Sequence, residues 1–181
     1  MNDPCCYPGS SVLRNELGVR DAGALEKVER MLAQERHRDL VARINSGTSK
    51  IALTPKGYQD LHPHIFRDMC DWAGKLRTVD IAKTHMFCSQ QFVADELVKR
   101  FSALKNENFL KKVSAEKFAE RAVEHMAELN AIHLFREGNG RTQQRALRHK
   151  AALRHDRVAA RRRRYRRGDR PRSASRAILT C

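Results

Sequence analysis

The sequence lacks the features that mark membrane, secreted or disulfide-stapled proteins. No apolar run approaches the roughly 20 residues that a membrane-spanning helix needs, and no signal-peptide pattern opens the chain. The five cysteines are odd in number and form no C-x-x-C pair, which disfavours a disulfide framework or a zinc site. We therefore expect a reduced, cytoplasmic protein built on one domain, with no membrane partner.

Acidic residues are scarce at the C-terminal end of the chain. The net charge is +15, and residues 145–181 carry +12 of it, from thirteen arginines and one lysine against two aspartates. Such a charge ordinarily indicates nucleic acid or an anionic membrane, but residues 1–144 are nearly balanced. The sequence predicts a globular domain over residues 1–144. It predicts that the arginine-rich tail, residues 145–181, is disordered because it cannot bury an apolar face.

The spacing of apolar residues predicts a mostly helical domain. Steps of three and four residues indicate four helices, at about 24–45 (interrupted by the polar stretch 35–39), 58–72, 92–101 and, after an N-cap at Ser114, up to residue 132. Pro63 is expected in the first turn of the second helix, and Gly74 at its stop. β-branched residues near Val79, followed by Phe87, predict one short β-hairpin. The fold class is therefore all-α with one small hairpin.

The most informative stretch follows the fourth helix. It brings a histidine, a carboxylate, a Gly-x-Gly turn and an arginine together in the run His133, Leu134, Phe135, Arg136, Glu137, Gly138, Asn139, Gly140 and Arg141. Backbone N–H groups of a turn and of a helix N-terminus bind anions, and a carboxylate can hold Mg²⁺ against phosphate oxygens. A histidine, with an ordinary pKa near ~6.5, can take a proton from an attacking hydroxyl. The stretch predicts nucleotide chemistry.

This run resembles the His-x-Phe-x-Glu-Gly-Asn-Gly-Arg signature of Fic-domain proteins, most of which transfer AMP from ATP to a protein hydroxyl. Two other segments are similar to the family in its order. Asp3-Pro4, Tyr7-Pro8-Gly9 and Leu13-Arg14-Asn15 resemble the N-terminal entry of small bacterial members, and residues 71–81 resemble the lead into the target-binding flap. The resemblance covers roughly residues 3 to 143 and implies the Fic helical bundle with a β-hairpin flap.

The resemblance implies a role for each polar residue of the run. His133 would be the general base that deprotonates a target Tyr, Thr or Ser hydroxyl, and Glu137 would hold Mg²⁺ against the ATP substrate. Phe135 is expected to be a core anchor for the loop. The phosphates would be bound by Gly138, Asn139, Gly140, Arg141 and Arg145. Gly138 and Gly140 allow backbone conformations closed to other residues, so their N–H groups can converge on a phosphate.

Two positions depart from the family pattern. The family usually has proline where Leu134 stands, so we expect a less rigid loop that keeps its reacting groups. Its second arginine falls three residues after the first, where this chain has Gln144, and Arg145 follows one place later. One helical residue is a rotation of about 100°, so Arg145 is expected to point away from the γ-phosphate.

The resemblance also implies protein partners. A target segment would pair with the flap through main-chain hydrogen bonds. The flap would comprise Thr78, Val79, Asp80, Ile81, Ala82, Lys83, Thr84, His85, Met86 and Phe87. No Ser/Thr-x-x-x-Glu inhibitory helix is found upstream among the glutamates at 16, 26, 29 and 35, which predicts the toxin-like class restrained by a separate small antitoxin.

Several interpretations stay open at this point. The tail is either a functional basic segment or out-of-frame sequence after a slip near codon 144, and the abrupt end of the resemblance at Gln143 favours the slip. The favoured function is a protein adenylyltransferase. The alternatives are a catalytically impaired Fic scaffold, a basic-tailed nucleic-acid-binding protein, or a Fic enzyme that moves a different group.

Overall fold

The computed structural model describes residues 4–49 and 51–149, which contain five α-helices. They are α1 (Ala22–Asn45), α2 (Pro55–Phe66), α3 (Val93–Asn106), α4 (Ala115–Ile132) and α5 (residues 139–149). Short 3₁₀ turns, Gln90–Phe92 and Asn108–Leu110, flank α3. The described residues up to Leu147 form one compact unit. The prediction of a helical domain is confirmed, and no described helix is long and apolar enough to cross a bilayer.

Side-chain caps fix the starts of three helices. Asp21 accepts a hydrogen bond from the backbone N–H of residue 24, Thr54 from that of residue 57 and Ser114 from that of residue 117. Each cap satisfies an N–H group that has no partner within its helix. The N-cap predicted at Ser114 is confirmed, as is the end of α4 at Ile132.

The predicted interruption of α1 is wrong. The helix runs unbroken through residues 35–39, because this charged stretch contains no helix breaker and its side chains find partners. Arg38 pairs with Glu35 within the helix, and Arg36 reaches across to Asp68, beyond the end of α2. Pairs three or four residues apart on one helix face support helical structure.

The predicted limits of the second helix are also wrong. α2 begins at Pro55, directly after the Thr54 cap, and ends at Phe66. Proline is well suited to the first helical position because its missing N–H would have no partner there. Pro63 lies inside α2 and not in its first turn. The apolar spacing continued past Phe66 because Met69 and Cys70 are buried in the turns that follow the helix.

Two apolar clusters position the loop between α4 and α5. The first joins α2, α3 and α4 around Leu134 and Phe135, both fully buried, and contains Tyr58, Val93, Leu97, Phe101, Leu129 and Ile132. The second joins α1 and α2, with Leu40, Leu61, Ile65 and Phe66 among its members. The expectation that Phe135 anchors the loop in the core is confirmed. The loop between α4 and α5 is therefore packed against the core of the domain.

The predicted flap hairpin is present only in reduced form. Residues 78–87, here called the flap segment, contain one antiparallel bridge between Ala82 and Met86. The Phe87 N–H donates to the Ile81 carbonyl at 3.2 Å, but the described residues contain no β-strand. An isolated two-stranded pairing is at best marginally stable, and no third strand supports this one. A hairpin of two strands is thus not confirmed.

Residues 145–149 lie beyond the predicted domain end at residue 144 and continue α5 as helix. The remainder of the predicted disordered tail lies outside the described residues.

Candidate active site

His133 ends α4 in a left-handed backbone conformation. Its φ and ψ angles are 51° and 69°, and its N–H donates to the Leu129 carbonyl at 3.1 Å. A positive φ is uncommon for a residue other than glycine and persists only where surrounding contacts enforce it. Here the His133 carbonyl accepts a 2.7 Å hydrogen bond from the Arg77 Nε atom, and Leu134 follows in the core.

The His133 imidazole is arranged to accept a proton. Its Nδ1 atom lies 3.3 Å from the Asn130 carbonyl oxygen, which can only accept, so Nδ1 carries the hydrogen and Nε2 keeps its lone pair. Burial lowers the pKa of His133 below 6.5, as do the Lys83 and Arg77 charges, while Asn130 and Glu137 oppose the shift. The ring is therefore largely neutral at pH 7.

Phe87 covers one face of this imidazole. The two ring centroids are 3.9 Å apart and the ring planes differ by 17°, a stacked arrangement. Phe87 is the last residue of the flap segment, so this end of the segment lies directly against the side chain of the predicted base, His133.

A buried arginine fastens the flap segment to the end of α4. The Arg77 side chain is fully buried and bonds backbone carbonyls from both regions, those of Val79 and Cys88 on one side and Ile132 and His133 on the other. Two backbone hydrogen bonds strengthen this attachment. The Arg77 N–H donates to the Leu134 carbonyl, and the Cys88 N–H donates to the Ala131 carbonyl, each at 3.0 Å. Sequence reasoning missed Arg77, because an arginine beside a polar segment carries no signal of burial.

Gly138 needs to be glycine for two reasons. Its φ is +80°, and a Cβ atom there would lie 2.5 Å from a ring carbon of Phe66. Gly140 does not use this conformational freedom: it lies in the first turn of α5, and a Cβ atom there would meet open space. Thr142 donates from its N–H and its hydroxyl to the Gly138 carbonyl, both at 3.0 Å, so α5 starts directly after Gly138.

Asn139 closes the loop on itself. Its Oδ1 accepts from the Phe135 N–H at 2.9 Å and its Nδ2 donates to the Phe135 carbonyl at 2.7 Å. The residue is 2% exposed. These contacts make Asn139 a loop staple, and only the second hydrogen of Nδ2 remains for the predicted phosphate contact.

Glu137 is held by a neutral histidine. The His62 Nδ1 atom accepts from the Gly74 N–H at 3.1 Å, so Nε2 carries the hydrogen and donates to the Glu137 carbonyl at 2.9 Å. Burial lowers the pKa of His62 to about 4. Residues 4–49 and 51–149 contain no group of three His, Cys, Asp or Glu side chains that could hold a metal ion.

One carboxylate is enough for the predicted cation. Mg²⁺ commonly takes one or two protein carboxylates, and phosphate oxygens and water complete its shell. The Glu137 Oε1 atom accepts from the Gly138 N–H at 2.9 Å, which orients the carboxylate beside the N-terminus of α5. The residues present therefore fit Mg²⁺ bound together with a polyphosphate.

Arg141 is paired with an acid that sequence reasoning had set aside. Its guanidinium forms an ion pair with Glu29 of α1 and lies over the Phe66 ring, 5.1 Å from the centroid. Burial lowers the pKa of Arg141; the Arg145 charge acts in the same direction, while Glu26 opposes the shift. Arg145 is thus close enough to Arg141 for its charge to act there, and Gln144 is exposed.

Comparisons with known proteins match the chain to one family. The Fic/DOC family model matches residues 52–149, six residues past the point where the resemblance was expected to end. A probable protein adenylyltransferase, y4lH of Sinorhizobium fredii, is 37% identical over 145 residues, covering 79% of this chain and 72% of that protein. The protein adenylyltransferase VbhT of Bartonella schoenbuchensis is also 37% identical, over 78% of this chain and 29% of its own length.

A solved structure gives the same fold. BepC of Bartonella tribocorum, crystallised with bound AMPPNP, matches with a TM-score of 0.73 at 20% identity, covering 82% of this chain and 77% of that one. The family model spans more than half of the chain, and the matched residues include the loop from His133 to Gly138. The chain belongs to the Fic/DOC family.

Proposed function

We propose that this chain is a protein adenylyltransferase that moves AMP from Mg·ATP to a hydroxyl side chain of a target protein. The observation that carries the proposal is the convergence, in one loop and helix start, of a neutral imidazole, an oriented carboxylate and a cation. Relatives named as adenylyltransferases, and a family structure with an ATP analogue bound, support ATP as the substrate.

The phosphates would lie at the N-terminus of α5. The first N–H groups of a helix have no partners within it, and the helix dipole favours an anion there. Arg141 and Arg145 would add positive charge for the outer phosphates. Glu137 would hold Mg²⁺, which supplies charge neutralisation at the phosphate oxygens when it is bound.

The group transfer is an in-line displacement. The target hydroxyl passes its proton to Nε2 of His133 while its oxygen bonds to the α-phosphorus. The bond from the α-phosphorus to the bridging oxygen breaks, and pyrophosphate leaves with that electron pair. Because the pKa of His133 is lowered, the imidazole is unprotonated and ready to accept at neutral pH.

The target would dock on the flap segment. Residues 82–86 are exposed, and the segment is fastened next to His133, so an extended peptide paired with its backbone would bring a hydroxyl to the base. A separate antitoxin remains part of the proposal, supported by the lack of an inhibitory Ser/Thr-x-x-x-Glu sequence upstream. Failure of neighbouring gene products to bind or inhibit would contradict that part.

The test is label transfer in a bacterial lysate with purified full chain, Mg²⁺ and ATP labelled at the α-phosphate. We expect labelled protein with wild type and none with His133→Ala. ATP labelled at the γ-phosphate should leave no label; label from it would indicate phosphate transfer instead. No label from folded protein would refute the proposal and leave a Fic scaffold that does not turn over.

Two variants test the displaced arginine. If Arg145 serves the phosphates from its position, Arg145→Gln should raise the KM for ATP by about tenfold, the worth of one charge-assisted hydrogen bond. Gln144→Arg restores the family spacing. If Arg145 does not reach the phosphates, this variant should instead raise the activity well above wild type.

A further inference from the structure

The stack between Phe87 and His133 suggests more than packing. Among residues 4–49 and 51–149, the imidazole has one hydrogen-bond contact, between Nδ1 and the Asn130 carbonyl at 3.3 Å, which is long for a hydrogen bond. One such contact leaves the ring able to rotate about its bond to Cβ. A flat ring 3.9 Å away and nearly parallel prevents this rotation, because a turned imidazole would push its edge into the phenyl face.

Hydrogen bonds hold the backbone that carries the Phe87 ring. The Phe87 N–H donates to the Ile81 carbonyl at 3.2 Å, and the next residue, Cys88, donates to Ala131 at 3.0 Å. Arg77 bonds the Cys88 carbonyl as well as that of His133. The same buried guanidinium therefore fixes the backbone of the base and the backbone next to the ring that covers it.

We propose that Phe87 is a positioning residue for His133, which keeps the plane of the imidazole fixed so that Nε2 faces the arriving hydroxyl. The inference rests on the proposed function for the statement that His133 is the base. The orientation of the imidazole can be measured without any turnover. Phe92 provides a matched control: it is 53% exposed and lies outside both the flap segment and the loop, so Phe92→Leu makes the same change of side chain away from the site.

The first experiment is an NMR measurement on the full chain. His133 ring protons are assigned by their loss in His133→Asn, and the variants are Phe87→Leu, Phe87→Tyr and Phe92→Leu. Leucine retains apolar volume without the flat face. We expect the upfield ring-current shift of the His133 protons to be present in wild type, Phe87→Tyr and Phe92→Leu, and lost in Phe87→Leu. Unchanged shifts in Phe87→Leu would overturn the proposal.

The second experiment is a kinetic comparison of the same variants, with α-labelled ATP and lysate acceptors at fixed concentration. We expect the apparent kcat of Phe87→Leu to fall by about ten- to a hundredfold, because small misplacements of a reacting group cost that much. The KM for ATP should change less than about twofold, since the phosphates are held elsewhere. Phe87→Tyr should recover the rate, and Phe92→Leu should not lose it.

The outcomes separate this inference from the proposed function. An unchanged kcat in Phe87→Leu, or a loss seen in the KM for ATP alone, would overturn the positioning role while adenylyl transfer stands. If wild type transfers no label, the proposed function fails, and the spectra still decide whether Phe87 orients the ring. A thermal melt of each variant shows whether a loss reflects unfolding, which Phe87→Tyr would then not share.

Discussion

Gly138 joins the loop to α5 and lies beside the Phe66 ring of α2. Alanine at this position would hold a left-handed conformation that costs about 1–2 kcal/mol for a residue with a Cβ atom. The added methyl would also lie 2.5 Å from the Phe66 ring. That ring is 2% exposed in a packed cluster and has little room to move, and overpacking of this kind costs about 1–3 kcal/mol.

Together these effects predict that Gly138→Ala lowers the free energy of unfolding by about 2–5 kcal/mol. The measurement is urea denaturation followed by circular dichroism, supported by thermal melting, where each kcal/mol lowers Tm by roughly 2–4 °C for a protein of this size. Gly140→Ala is the matched control: it has helical backbone and open space, and should stabilise by about 0.5–1 kcal/mol. Equal stability of the two variants would refute the reasoning.

Three further predictions follow from the site. Asn139→Ala leaves a buried N–H and a buried carbonyl without partners and should lower the free energy of unfolding by about 2–4 kcal/mol; a loss below about 1 kcal/mol in urea would contradict this. The transfer rate should fall as pH falls, with a midpoint below pH 6.5, because burial lowers the pKa of His133 and the protonated ring cannot act as base. Rates measured from pH 5 to 8 check this, and a midpoint above 6.5 would contradict the prediction. Glu29→Gln removes the carboxylate that pairs with Arg141 and should tighten Mg·ATP binding about tenfold by calorimetry, whereas Glu35→Gln, exposed on the same helix, should not.

Local sequence determines much of the fold. α4 was predicted from Ser114 to Ile132 because its cap and its apolar spacing both lie within the segment. α2 was misplaced because apolar residues buried in the turns after Phe66 continue the helical spacing. The flap segment reads as a hairpin from its β-branched residues, yet pairing also depends on neighbouring strands, and the described residues provide none.

The site was predictable where its residues are contiguous. The run from His133 to Arg141 is contiguous in the sequence, and the structure places residues 133–138 in the loop and residues 139–141 at the start of α5. Three supporting residues, Glu29, His62 and Arg77, were missed, because they come from other elements and meet the loop only in the folded chain. Phe87 was predicted as part of the flap, but its contact with His133 was not. Nothing in the local pattern distinguishes a surface arginine from one that bonds four carbonyls.

Arg77 limits how an acceptor protein could dock on the flap segment under the proposed function. Its guanidinium ties both ends of the flap segment to the end of α4, so lifting the segment as a lid would strand a buried charge among carbonyls it no longer reaches. The flap segment is therefore expected to stay in place when an acceptor binds, and not to open and close. Under the proposed function, an acceptor would have to place an already extended stretch of chain along residues 82–86, which would favour hydroxyls on exposed loops or unfolded segments over those on helices.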